Sequence, residues 1–170
     1  MKKNLILLGM MAVGKTTLGK ILAKKLNLEF VDTDKNIEKT NLMTIDKIFR
    51  TKGEIFFREE EEKEVLKSLK NKNSVISLGG GAFINKTIRE NILKNAISIW
   101  LDDDLKTLSK RSKRNQNRPL LKKINNNEKM ITEIYNERKN IYKLANYKIE
   151  CNKKNKNYII KEILKLYEKK

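Results

Sequence analysis

Eight residues near the start of the chain carry a chemical signature. Gly9-Met10-Met11-Ala12-Val13-Gly14-Lys15-Thr16 fits G-x-x-x-x-G-K-[ST], the pattern of a phosphate-binding loop. Glycine at the two fixed positions permits backbone angles that turn successive N–H groups towards phosphate oxygens. Lys15 then reaches the β and γ phosphates, and the Thr16 hydroxyl is a ligand for Mg²⁺. The candidate cradle is Gly9, Ala12, Val13, Gly14, Lys15 and Thr16, with the adjoining Thr17. A plain strand-to-helix turn with a stray lysine is the alternative, and the flanks argue against it. Leu5-Ile6-Leu7-Leu8 suits a strand buried on both faces, and Leu18, Ile21, Leu22 and Leu26 recur at helical spacing. Strand, glycine-bearing loop and helix are the context in which the pattern becomes a mechanism.

Carboxylates come next. Glu29-Phe30-Val31-Asp32 reads as a second strand, and carboxylates at the C-terminal end of a parallel strand sit where open α/β sheets bind ligands. Asp34 suits the N-cap of the following helix, but its place one strand after a phosphate loop favours a functional role. Histidine is absent, so proton chemistry falls to carboxylates, lysine or water. Arg58 follows Phe56 and Phe57 and, taken alone, reads as a surface arginine whose stem covers those rings. The acidic run 59–62 reads as a solvated helix face paired with Lys63 and Lys67.

Further strands are expected at 74–78, 96–101 and 147–151. The first runs into Gly79-Gly80-Gly81, either a flexible turn or a place where a substrate approaches the backbone closely. Asp102-Asp103-Asp104 follows the second, and consecutive carboxylates there read as dipole-stabilising caps rather than a metal site. Thr44 and Asn85 suit N-caps, Gly53 interrupts a helical pattern, and 158–167 reads as a closing amphipathic helix. Residues 110–129 are basic and polar, and beside a phosphate site they read as a lid that brings cations over the nucleotide.

At 170 residues the chain suits one domain, able to bury about two-thirds of its extended surface. Lysine and arginine total 39 against 21 acidic residues, for a net charge of +18. Such a surplus suits nucleic acid or anionic small molecules. The basic residues are spread along the whole chain, aromatic residues are only 6%, and no RNA-binding aromatic motif or zinc pattern appears, so no specific nucleic-acid partner is expected. Cys151 is the single cysteine, which excludes an intrachain disulfide and, with no histidine beside it, makes a poor nucleophile. Lys2-Lys3 before an apolar run resembles a signal peptide, but Gly14-Lys15 interrupts it without a cleavage site. No apolar run approaches membrane-spanning length. A cytoplasmic monomer without membrane partners is the expectation.

Alternating strands and helices around a phosphate loop imply a small α/β protein that uses a nucleoside triphosphate. At this point the residues also match a family. The chain resembles shikimate kinases over nearly its whole length, with motifs in that family's order. They are the loop at 9–16, Asp32-Thr33-Asp34 with Ile37-Glu38, and Ile48-Phe49. Next come Gly53-Glu54, Phe57-Arg58 and Glu61, then Leu78-Gly79-Gly80-Gly81, Arg118-Pro119-Leu120-Leu121, and Arg138 with Tyr142 and Ala145.

The resemblance implies transfer of the ATP γ-phosphoryl group to the 3-hydroxyl of shikimate, giving shikimate 3-phosphate for chorismate and aromatic amino-acid biosynthesis. It also implies a three-layer P-loop NTPase-like fold, with a five-stranded parallel sheet flanked by helices as in nucleoside monophosphate kinases. Residues at about 34–61 would form the substrate-binding segment and 110–129 the lid. Carried over position by position, Asp32 joins Thr16 in the Mg²⁺ shell, and Asp34 binds the substrate hydroxyls and offers a proton acceptor. Arg58, Gly79, Gly80, Gly81 and Arg138 bind shikimate, with the two arginines on its carboxylate. Arg118 comes from the lid towards the phosphates, completing a catalytic set with Lys15 and Asp34, and Arg111 lies near adenine. The family's usual third loop glycine is here Ala12, whose methyl fits if its backbone angles are ordinary, so activity is expected to survive. Where the family encloses adenine after the last strand, this chain has Asn152-Lys153-Lys154-Asn155, for which no contact is assigned. A kinase for gluconate or a nucleotide would keep Lys15 and Thr16 without needing Asp34, Arg58 and Arg138 together. A regulatory or nucleic-acid-associated protein that merely retains the fold would bind ATP without turnover.

Overall fold

The computed structural model describes residues 3–113 and 127–168. Its centre is β1 (Asn4–Leu8), buried at all five positions. A strand apolar on successive residues presents apolar groups to both faces of a sheet, so both faces must be covered. β1 pairs in parallel with β3 (Ser74–Ser77) on one side and β4 (Ala96–Asp102) on the other. β2 (Glu29–Asp32) and β5 (Tyr147–Glu150) complete a parallel sheet of order β2-β3-β1-β4-β5. Register brings Leu7 beside Ser77 and Ile99, and Asp32 beside Ser77, so the C-terminal ends of these strands share one edge. That is the edge at which such sheets bind ligands.

Parallel strands need crossovers, and helices supply them. α1 (Lys15–Leu26) packs on β3 and on α8 (Lys156–Glu168). It ends where Asn27 takes a left-handed conformation at φ 53°, returning its N–H to the carbonyls of Ala23 and Lys24. Between β2 and β3 lie α2 (Thr33–Asn41), α3 (Ile45–Thr51) and α4 (Gly53–Lys70). α5 (Lys86–Asn95) follows a 3₁₀ turn and packs on β4. α6 (Leu105–Lys113) and α7 (Asn127–Tyr142) pack on each other. Thr44 and Asn85 cap α3 and α5 through the amides of Lys47 (3.2 Å) and Ile88 (3.1 Å). The expected strands are all present, with ends moved by a residue, and α8 starts two residues before its expected position.

Two apolar clusters result. The larger surrounds β1 and includes Leu22, Ile76, Ile99, Trp100 and Ile163. The smaller is Ile37, Ile48 and Phe57, with Met43, Ile45, Phe49 and Phe56 against it, and the rings of Phe49 and Phe57 are 4.7 Å apart. The segment expected at 34–61 to hold the substrate thus has its own small core. Of the expected lid, 110–113 end α6 and 127–129 begin α7. The remainder, Arg118 included, lies outside the described residues. Among the described residues, no helix is long and apolar enough to cross a membrane.

Candidate active site

The turn from β1 into α1 is made by two glycines with positive φ. Gly9 has φ 136°, and a Cβ there would stand 2.4 Å from the Leu101 carbonyl oxygen. Gly14, at φ 105°, is the residue before α1. Ala12 also lies in the left-handed region, at φ 63°. Its backbone angles are therefore not ordinary, contrary to expectation, and the methyl is carried in a conformation that favours glycine. Lys15 is buried, and its Nζ donates to the carbonyls of Gly9 (2.9 Å) and Met10 (2.8 Å). The loop's own oxygens thus hold the ammonium at the loop.

Thr16 Oγ1 donates to Asp32 Oδ2 at 2.8 Å, and Asp32 Oδ1 accepts from the Lys35 amide at 3.3 Å. Asp32 is therefore the N-cap of α2, and Asp34, expected in that role, is the second residue inside the helix. A cleft of about 400 Å³ runs from residues 12–18 past Asp32 and Asp34 to Gly80. In the other direction it reaches Arg111, Cys151 and Lys154.

Gly79-Gly80-Gly81 is the junction of a second group of side chains. A Cβ on Gly79 would stand 2.5 Å from Asp34 Oδ1 and 2.8 Å from Glu61 Oε1. One on Gly81 would stand 2.6 Å from Arg58 Nη1. At Gly80 a Cβ would lie 3.5 Å from Arg138 Nη1, 3.7 Å from the Met11 nitrogen and 3.8 Å from the Gly9 oxygen. None of the three has positive φ, so glycine stands here for space rather than for backbone freedom. The run brings Asp34, Arg58 and Arg138 together and sets them against the phosphate loop.

Two groups that residue-by-residue reading missed hold this cluster. Glu61 is not solvated: its side chain is 2% exposed and takes Arg58 Nη1 at 2.8 Å. Burial pushes its carboxyl pKa up and nearby Asp34 adds to that, while Arg58 and Arg138 pull it down. Arg58 also reaches Glu54 at 3.1 Å and lies over the Phe57 ring at 5.3 Å. It is the guanidinium head that lies over the ring, and the same head belongs to the network. Burial works against the Arg58 charge, and Glu61 and Glu54 outweigh it, holding the group more firmly protonated. Two more of the run are engaged, Glu60 with Lys63 (3.0 Å) and Glu62 with Asn85 Nδ2 (2.7 Å), while Glu59 is exposed.

Tyr142 is the second addition. Its hydroxyl donates to the Gly80 carbonyl, and burial pushes its pKa up, opposed by Arg138 one turn earlier. The three-residue step from Arg58 to Glu61 and the four-residue step from Arg138 to Tyr142 were the available signals.

At the far end of the cleft, Arg111 pairs with Asp103 at 3.0 Å. Cys151 and Lys154 line the same region, which fills the gap left by the unassigned segment after β5. Burial pushes the Cys151 thiol up to about 12, with Asp103 and Asp102 adding to it, which leaves it protonated and unreactive. Of the acidic triplet only Asp104 is a helix cap, contrary to the expectation that all three serve as caps. Among the described residues no group of three or more acidic or cysteine side chains could by itself hold a metal.

A parallel sheet of this order, with a glycine-framed loop after the first strand and an acid–arginine cluster facing it, defines a P-loop kinase of nucleoside monophosphate kinase architecture. The shikimate kinase family model matches residues 11–168, and this chain belongs to that family. The shikimate kinase of Sulfurihydrogenibium sp. is 43% identical over 162 residues, covering 95% of this chain and 96% of that protein. The Acinetobacter baumannii shikimate kinase, solved in complex with shikimate, superposes with a TM-score of 0.92 at 34% identity, over 97% of this chain and 92% of that one. The Aquifex aeolicus shikimate kinase gives a TM-score of 0.84 at 31% identity, over 98% and 96%. A Sinorhizobium meliloti gluconokinase, at a TM-score of 0.58 and 12% identity, shares the fold alone.

Proposed function

We propose that this protein transfers the γ-phosphoryl group of ATP to the 3-hydroxyl of shikimate. The observation that carries the reading is the convergence of Asp34, Arg58 and Arg138 on the glycine run that abuts the phosphate loop. Two guanidinium forks suit a planar carboxylate in a way ammonium groups do not. A carboxylate between them and the loop suits a hydroxyl that must be oriented and relieved of its proton.

In this reading Lys15 and the loop amides bind the β and γ phosphates, and Gly80 sets the acceptor ring close to them. Glu61 and Tyr142 keep the arginines in place. Arg118 brings a further cation to the phosphates, and Arg111 packs against adenine. Thr16 Oγ1 and the Asp32 carboxylate, 2.8 Å apart, are a hard oxygen pair that fits Mg²⁺. Those two residues would hold Mg²⁺, which would supply positive charge beside the phosphates. We place the protein in the cytoplasm, where the single buried thiol stays reduced.

The test is nucleotide consumption on adding shikimate, gluconate or nucleoside monophosphates in turn, with the product identified by phosphorus NMR. Shikimate 3-phosphate is the expected product. Turnover of gluconate or a nucleotide without turnover of shikimate would overturn the assignment.

A further inference from the structure

The three consecutive carboxylates after β4 do three different things. Asp104 accepts from the Thr107 amide at 2.8 Å and caps α6. Asp102 takes Lys148 Nζ at 3.0 Å and the Tyr135 hydroxyl at 3.3 Å. Asp103 has a side chain only 2% exposed, and its Oδ1 accepts from the Asp104 amide at 2.9 Å. Its Oδ2 accepts from Arg111 Nη1 at 3.0 Å, across one face of α6. A buried carboxylate needs a charge partner, and Arg111 supplies it. Arg111 itself is half exposed and stands at the cleft wall. One end of the pair is thus anchored in the protein and the other faces the nucleotide cleft, near Cys151 and Lys154 rather than within the phosphate loop.

An ion pair with a half-exposed arginine adds little to folding stability. It does fix the plane of a guanidinium that would otherwise sample many rotamers, and an ordered guanidinium stacks on a heteroaromatic face at lower entropic cost. We propose that Asp103 is a positioning residue for the nucleotide base, holding the Arg111 guanidinium flat against the ring of the bound purine. The inference rests on ATP being the phosphoryl donor and adds a residue to that donor site.

The experiment is calorimetric binding of MgATP and of magnesium tripolyphosphate to the wild type, Asp103→Asn, Arg111→Ala and the double variant, with kcat at saturating ATP. Each single variant should weaken ATP binding by about tenfold, the range of one lost base-stacking contact. The double variant should lose no more than either single one. Tripolyphosphate affinity in each variant, and kcat at saturating ATP in Asp103→Asn, should stay at the wild-type value, which a merely structural role would not predict. Should Asp103→Asn fail to fold, Asp103→Thr, which keeps an acceptor for the Asp104 amide, serves in its place. Wild-type ATP affinity in Asp103→Asn overturns the inference, as does an equal loss for tripolyphosphate, which would put Arg111 on phosphate. A wild-type protein that binds no ATP overturns the donor assignment instead, so the two failures are distinguishable.

Discussion

The phosphate loop hangs from β1, whose four apolar side chains, Leu5 to Leu8, are buried in the larger core, whereas Asp34 and Arg58 ride on α2 and α4, around the small cluster of Ile37, Ile48 and Phe57. In the proposed reading, donor contacts come largely from backbone at the two positive-φ glycines, Gly9 and Gly14, with Lys15 and Thr16 close behind. Acceptor contacts would come instead from side-chain heads drawn from α2, α4 and α7, two of them on long arginine stems. Heads on long stems need something to hold them, and here Glu61, Tyr142 and the space left by three glycines do it. A backbone-built site is stiff and local, and a side-chain-built site depends on several distant partners at once.

The sharpest break in this comparison is at Lys15. Lys15→Met removes the one loop side chain that would carry charge to the phosphates. Transfer should fall by about a thousandfold, the upper range for losing one preorganised charge-stabilising group. ATP affinity should fall with it, while shikimate binding to the free enzyme holds. Loss of shikimate binding as well would show that the two halves are not separable.

Asp34→Asn is the counterpart on the acceptor side. It keeps the size and removes both the charge and the capacity to take a proton. Turnover at saturating shikimate should fall by about a hundredfold or more, the range of a positioned acid–base group. ATP affinity measured without shikimate should not change, because Lys15, Thr16 and the loop amides are untouched. Near-normal turnover would leave Asp34 as an ordinary first-turn residue of α2, and the proton-acceptor role would fail.

Glu61→Gln asks how much of the acceptor grip lies behind the arginines. Loss of the ionic hold on Arg58 should raise the shikimate KM by about tenfold, matching one weakened charge-assisted hydrogen bond, with kcat and ATP KM near wild type. The pH profile adds a second readout. Arg58, Asp34 and Arg138 face Glu61, and burial lifts its pKa, so on acidification it loses its charge before an exposed glutamate would. Below that pKa the carboxyl is neutral and its hold on Arg58 weakens. Wild-type shikimate KM should therefore climb as pH falls, and the Gln variant should lack that rise. Parallel pH profiles in the two proteins would remove Glu61 from the grip.

The same contrast explains what could be read without coordinates. The phosphate loop occupies eight successive residues because backbone amides that act together must be neighbours in sequence, so its pattern is local and legible. The strands were legible too, since the buried runs around Leu5–Leu8, Val75 and Ile97–Leu101 admit few other placements. The acceptor cluster spans residues 34 to 138, and no spacing rule joins Asp34 to Arg138. Only the family resemblance brought those residues together in advance. Glu61 was hidden because four successive glutamates look like a solvated face, and burial of one depends on where α4 meets Gly79. Asp32 rather than Asp34 caps α2 because helix starts shift by a residue or two. Asp103 was lost among three acids whose separate partners lie on β5, α6 and α7.

Ala12 gives the smallest effect and tests the stiffness of the donor loop directly. An alanine in the left-handed region carries a steric cost of about 1–2 kcal/mol relative to its right-handed alternatives. Glycine removes that cost but frees the unfolded chain, which acts the other way by about 0.4–1 kcal/mol. Ala12→Gly should therefore stabilise the protein by about 0.5–1 kcal/mol, or about 1–4 °C in Tm for a domain of this size. At an ordinary backbone position the same change destabilises by about 0.5–1 kcal/mol, so the sign alone decides. ATP KM and kcat should stay at the wild-type values, because the directions of the loop amides are set by Gly9 and Gly14 on either side. A lower Tm would mean that residue 12 is not held at positive φ in solution. A higher Tm with altered ATP KM would mean that the alanine methyl helps to aim the amides, and the donor side would then rest on side chains as the acceptor side does.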